Sequence, residues 1–173
     1  MHVIRRGTSH AFANGGFTLV ETTLAIAMLG LFIAMLMVMN SNILGLLRNS
    51  KDNVAASQAL QERVEQMRIA NWLQITDATY LSGTLFAAPG DSAATLPSAA
   101  EKITVSAYPP KAGSIPAQVV RSNGTTQILK SNDALKDEGM VRVDLEVTWT
   151  GFPKNRPRLR ATTAIIAKGG ITK

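Results

Sequence analysis

The stretch NGGFTLVETTLAIAMLGLFIAMLMVMN, residues 14 to 40, decides how this chain is built. From Leu24 to Met39 it holds 16 residues without a charge, about 24 Å of α-helix. Counted from Phe17 to Met39 it holds 23 residues, about 34 Å, enough to cross a hydrocarbon core of about 30 Å. The longer count takes in Glu21, and an acidic group at a bilayer centre costs roughly 2.5–3.5 kcal/mol, less toward the interface. A cleaved secretory signal is excluded, because MNSNILGLLRNS after the apolar run has no small-x-small cleavage site. A plain signal anchor fits the length but leaves Glu21 and Gly15-Gly16-Phe17 without a role. Basic residues flank both ends, Arg5 and Arg6 before and Arg48 and Lys51 after, so flanking charge does not choose an orientation. A buried core helix of a soluble protein needs a cover that the rest of the chain is too small to supply.

Composition narrows the chemistry. The chain has 173 residues and no cysteine, which leaves out disulfides, thiolate metal sites and cysteine nucleophiles. Both histidines, His2 and His10, precede the Gly-Gly. A cut there removes the usual general base and metal ligand from the mature chain. The 18 basic and 12 acidic residues give a net charge of +6. Loss of Arg5 and Arg6 leaves 16 against 12, a mild excess that does not by itself imply a nucleic-acid partner.

A short basic leader ending in Gly16, then Phe17-Thr18-Leu19-Val20-Glu21 opening an apolar helix, resembles the N-terminus of type IV pilins and of the pseudopilins of type II secretion. Gly15, Thr22, Leu24 and Gly30 sit where such sequences commonly carry similar residues, and the likeness covers some 25 residues, about the length of one apolar span. The resemblance implies that prepilin peptidase, which also acts as N-methyltransferase, cuts between Gly16 and Phe17 and leaves N-methyl-Phe17. It implies a single pass through a bacterial inner membrane, with the C-terminal head outside the cytoplasm. From there an assembly platform would build the chain into a filament with other pilins or pseudopilins. The new α-amine would be compensated by Glu21, a pairing much stronger in a low-dielectric setting than in water. Glu21 would then set the register of one subunit against the next. The plainer reading of Glu21 is a carboxylate that snorkels to the lipid interface without a partner.

Beyond the apolar run, residues 17–72 lack proline and read as one helix. Ile43, Leu47, Val54, Leu60, Val64 and Met67 recur at helical intervals and mark a stripe for packing on a head. Gly30 and Gly45 are its soft points. Residues 76–100, rich in Ala, Ser, Thr, Gly and Pro, read as an irregular connection outside the core. From 101 onward the chain reads as antiparallel β. MVRVDLEVTW, 140–149, alternates Val141, Val143, Leu145, Val147 and Trp149 against Arg142, Asp144, Glu146 and Thr148. Asn123-Gly124 lies between two β-prone runs and signals a tight hairpin; KITVSAY, 102–108, and LRATTAIIA, 159–167, supply further strands. The expected fold is α+β. A cleaved leader (1–16) precedes a membrane or filament-core helix (17–40) and its amphipathic continuation (41–75). The irregular loop (76–100) then leads to a head of four or five antiparallel strands (101–173).

Two clusters draw a functional reading beside a plain one. FPKNRPRLR, 152–160, gathers Lys154, Arg156, Arg158 and Arg160; it could serve the phosphates of DNA or a polar head group, but a solvated hairpin loop is the better account. Asp133, Asp137 and Glu138 lack the spacing of a calcium loop and read as an exposed turn. Asn123-Gly124-Thr125 matches a glycosylation sequon, which the hairpin turn already explains. With no P-loop, nucleophile elbow or paired-carboxylate cleft, the sequence points to a structural subunit without catalytic residues, metal or cofactor. A membrane-anchored binding module using the basic loop is the alternative.

Overall fold

The computed structural model describes residues 18–152 and 156–169. The chain divides into two compact units, Met1–Ile43 and Leu44–Lys173. Helix α1, Leu19–Ile69, is the first element of both. In the second unit it packs on a five-stranded antiparallel sheet in the order β3-β2-β1-β4-β5, an α+β arrangement. The strands are β1 (Ala100–Ala107), β2 (Ala117–Ser122), β3 (Thr125–Lys130), β4 (Met140–Gly151) and β5 (Arg156–Ala167).

The sheet follows its sequence pattern closely. Glu101, Ile103, Val105 and Ala107 of β1 alternate inward, as do Val141, Val143, Leu145, Val147 and Trp149 of β4. The opposite face is wet: Lys102 pairs with Glu146 at 3.2 Å, and Arg142 with Asp144 at 2.9 Å. Asn123 and Gly124 take φ of 50° and 78°, the two left-handed positions of a hairpin turn matched to strand twist. β1 lies at the centre, paired to β2 on one side and β4 on the other.

The helix departs from its sequence reading in two ways. It ends at Ile69, so the continuation expected to run through 75 is broken. Asn71 caps a separate short helix, α2 (Trp72–Ile75), through a reciprocal box with Gln74 at 2.9 Å in each direction. A side chain that satisfies the free amides of a new helix start competes with continuing the old one. The buried face is also different. Ala55, Ala56 and Ala59 join Leu60 and Met67 in the core, while Ile43, Leu47 and Val54 stay exposed. Ala55 adjoins Asp91, Ser92 and Thr95 of the 76–100 segment, so part of the cover on this face is not sheet.

Residues 76–100 are likewise not an excluded loop. They form a layer of short turns, with α3 (Ala78–Tyr80) followed by a π-turn, Leu81–Leu85, and a 3-10 turn, Ala93–Thr95. Leu81 and Phe86 are fully buried, and Leu85, Ala93 and Leu96 nearly so. Its Ala, Ser and Thr content pointed outward because the few large residues that anchor it are widely spaced.

That layer is held by Arg63. Its Nε and Nη2 donate to the two oxygens of Glu101 at 2.9 Å, Nη2 also to the Ala88 carbonyl at 2.8 Å, and Nη1 to Gln66 and the Leu85 carbonyl. All five guanidinium donors are thereby used. The group also stacks over Phe86, 4.9 Å from the ring centroid. Arg63 and Glu101 are both 3% exposed. Glu62, one residue before, accepts from Ser92 Oγ and fastens the far end of the layer.

Removing one partner of such a pair strands a buried charge, at roughly 3–5 kcal/mol. Arg63→Ala should therefore lose about that much in urea unfolding of the full chain. Arg63→Met combined with Glu101→Leu should lose less, because no lone carboxylate remains. An equal loss in both would instead assign the cost to the uncovered Leu85 and Ala88 carbonyls.

Candidate assembly helix and basic edge strand

Two places carry the expected functional residues, the start of α1 and the start of β5. Gly16 and Phe17, the expected cleavage and methylation site, lie outside the described residues, as does Lys154. At the head of α1, Thr18 Oγ1 accepts from the Glu21 amide at 3.2 Å. Thr18-x-x-Glu21 is thus a helix N-cap followed by an acid at its third position. Glu21 is exposed and sits in the first turn, where the helix dipole favours negative charge. This gives Glu21 a local role that stands beside any pairing with a processed N-terminus.

Every described residue from Thr18 to Leu44 is exposed. The core-helix reading of the apolar run is therefore lost, since burial within the chain is what it required. α1 is long and apolar enough to cross a membrane. Between Leu19 and Val38 it carries ten Leu, Ile, Phe and Val side chains, worth roughly 3–6 kcal/mol toward insertion. That offsets a carboxylate placed at one end of the span, where its cost is lowest.

The basic segment expected as a loop is mostly strand. Arg156, Arg158 and Arg160 belong to β5, opposite Gly151, Trp149 and Val147. Prolines suggested a loop, but β5 is an edge strand, and an edge accepts Pro157 because one side of the ladder needs no N–H. Residues directly opposite in an antiparallel pair share a face. All three arginines therefore sit on the α1 side of the sheet. Asn53 of α1, Trp149, Arg156 and Arg158 wall a notch there, which continues as a groove past Ser57, Gln61 and Arg160.

No protein-family model, curated protein or solved structure matches this chain. Its residues alone carry the functional argument.

The acidic cluster does not converge. Asp133 bonds Lys136 at 3.1 Å, and Glu138 bonds Lys111 at 2.7 Å. No group of three acids or histidines placed to hold a metal ion occurs among the described residues. Asn123-Gly124-Thr125 is the hairpin turn.

Two features were not singled out from sequence. Arg63 falls on the helix face between Leu60 and Met67, and Glu101 occupies the first inward position of β1; a lone acid at an inward strand position was the available signal. The second is the corner where the end of β4 meets α1. A Cβ on Gly45 would stand 2.8 Å from the Phe152 ring, and Arg48 lies over that ring at 5.8 Å. Gly45 is a packing seat, not a soft point, and α1 runs through it unbroken.

Gly45→Val should destabilise the chain by about 1–3 kcal/mol through overpacking. Gly30→Ala, where nothing lies within 4 Å, should leave the unfolding midpoint of the head unchanged. Denaturant titration of both variants in one detergent makes the comparison.

Proposed function

We propose that this chain is a structural subunit of a type IV pilus-like filament, a minor pilin or pseudopilin that is processed at its N-terminus and assembled through α1. The reading rests on the Gly16-to-Glu21 resemblance. The observation that carries it further is the length of exposed apolar helix. Exposed apolar side chains run from Leu19 to Met39 and, after the polar Asn40-Ser41-Asn42, resume at Ile43, Leu44, Leu46 and Leu47. Those 29 residues make about 44 Å of helix, well beyond a hydrocarbon core of about 30 Å. A simple anchor needs no apolar surface past the bilayer. A helix that leaves the membrane to pack beside identical helices does.

In this reading prepilin peptidase cuts after Gly16 at the inner membrane, and the head is held outside the cytoplasm until an assembly platform takes the subunit up. Glu21 offsets the new α-amine of a neighbour or of its own chain and fixes axial register. The role is structural and not catalytic. A ligand-binding head on the same anchor is the second reading, favoured by the β5 arginines.

Glu21→Gln leaves the Thr18 cap on the backbone amide in place and removes the charge. The variant should be cleaved normally and be absent from sheared filaments; normal incorporation would show that assembly needs no charge at Glu21. Gly16→Trp in the same assay should retain the leader, and an N-terminal peptide beginning at Phe17 would refute the cleavage site.

Leu46→Ser with Leu47→Ser tests the extended surface. Both residues are exposed, so stability should change by no more than about 0.5 kcal/mol. Membrane fractionation should be unchanged while recovery in filaments falls. Undiminished recovery would return α1 to the role of an anchor alone.

A further inference from the structure

We propose that the outer edge of β5 docks an extended segment of another protein, added to the sheet as one more strand. The segment carries apolar residues over one half and acidic residues over the other. The proposal stands on the head alone and does not depend on the filament-subunit reading.

The two edges of the sheet are finished differently. Among the described residues, no strand pairs with the outer side of β3 or of β5. β3 has 6 residues, and its pairing shifts register between Gln118 and Val119. Its Thr126 Oγ1 donates to the Phe86 carbonyl at 2.8 Å, which ties the strand to the 76–100 layer. Shortness, a bulge and a covering segment each close an edge to other chains. β5 has 12 residues in unbroken register with β4, about 40 Å of edge. Pro157, Arg156, Arg158 and Arg160 guard its first half only. From Ala161 to Ala167 it reads ATTAIIA, with no charge, proline or glycine. Such a window, rich in β-branched residues, is one that other strands join readily.

The side of the sheet next to that edge is open as well. By their register with β4, Thr162, Ala164 and Ile166 lie on the α1 side together with the three arginines. Ala164 and Ile166 border an apolar recess with Val64 and Met67 of α1 and Val143 and Leu145 of β4. A strand added to β5 sends alternate side chains to this side. Those opposite Ile166, Ala164 and Thr162 meet apolar wall, and those opposite Arg160, Arg158 and Arg156 meet cations. β5 holds no acid of its own. An antiparallel segment that fits is therefore apolar at alternate positions first and acidic at alternate positions after. Main-chain hydrogen bonds supply its affinity, and the alternate side chains its selectivity.

A second copy of this chain fits less well. β5 paired with another β5 about Ala164 sets Arg160 against Lys168, and like charges directly opposite are destabilising. β3 of another copy, TTQILK, offers the arginines no acid.

The probe is a fluorescent, end-blocked synthetic peptide as long as β5, with valine and then glutamate at alternate positions and threonine between. The full chain in detergent should bind it saturably, and the bound peptide should slow hydrogen exchange along β5. A version with proline in place of each threonine keeps the charge but cannot donate to a ladder, and it should not bind. Arg156→Glu with Arg160→Glu, both exposed, should weaken binding on the order of tenfold. That variant should instead take a peptide with lysine in place of glutamate, which shows that it is folded. No binding of the first peptide, or equal binding of its proline version, overturns the docking site. Binding that ignores the charge reversal overturns the acidic occupant. Binding that appears only after residues 170–173 are removed gives the edge to the chain's own C-terminus and overturns the proposal. Ala161→Cys, in a chain otherwise free of cysteine, checks for a second copy: it should remain monomeric under mild oxidation, and disulfide-linked pairs formed without peptide would place another β5 on the edge instead.

Discussion

Arg63 is the single group on which the head depends. Its five donors reach a helix neighbour, two carbonyls of the 76–100 layer and both oxygens of Glu101 on the central strand. A buried ion pair is often no better than a well-packed apolar pair. This one has a further job: it ends two backbone carbonyls that the irregular layer cannot satisfy within itself. A segment with few regular hydrogen bonds can be buried only if something else supplies donors. The guanidinium does so, and Phe86 covers it.

The helix meets a different constraint at each end. Where it meets the core of the head it buries Ala55, Ala56, Ala59, Leu60 and Met67. Toward its N-terminus it presents large side chains on every side, and none of them is covered within the chain. In the filament-subunit reading those faces are covered by lipid first and by neighbouring helices afterwards. A surface apolar all round suits both solvents, so the subunit can leave one for the other without remaking its own fold.

Gly45, Phe152 and Arg48 fasten the end of β4 to the helix just after the second unit begins.

Sequence alone determined the elements whose signals are local. The apolar run, the two-residue alternation of β4 and the Asn123-Gly124 turn each rest on side chains adjacent or one turn apart, so they were legible along with the α+β class. The third-position acid of α1 was legible in the same way, though its capping by Thr18 came from the coordinates. Only the tertiary structure decided what depends on distant partners. Arg63 and Glu101 are 38 residues apart, and nothing in either neighbourhood states that they meet. Arg156 to Arg160 became strand because β4 lay alongside, with an edge that tolerates Pro157. Ala55, Ala56 and Ala59 became core residues because other parts of the head cover that face of α1. Each of these outcomes is set by what lies across a gap in space, and periodicity along the chain does not record that.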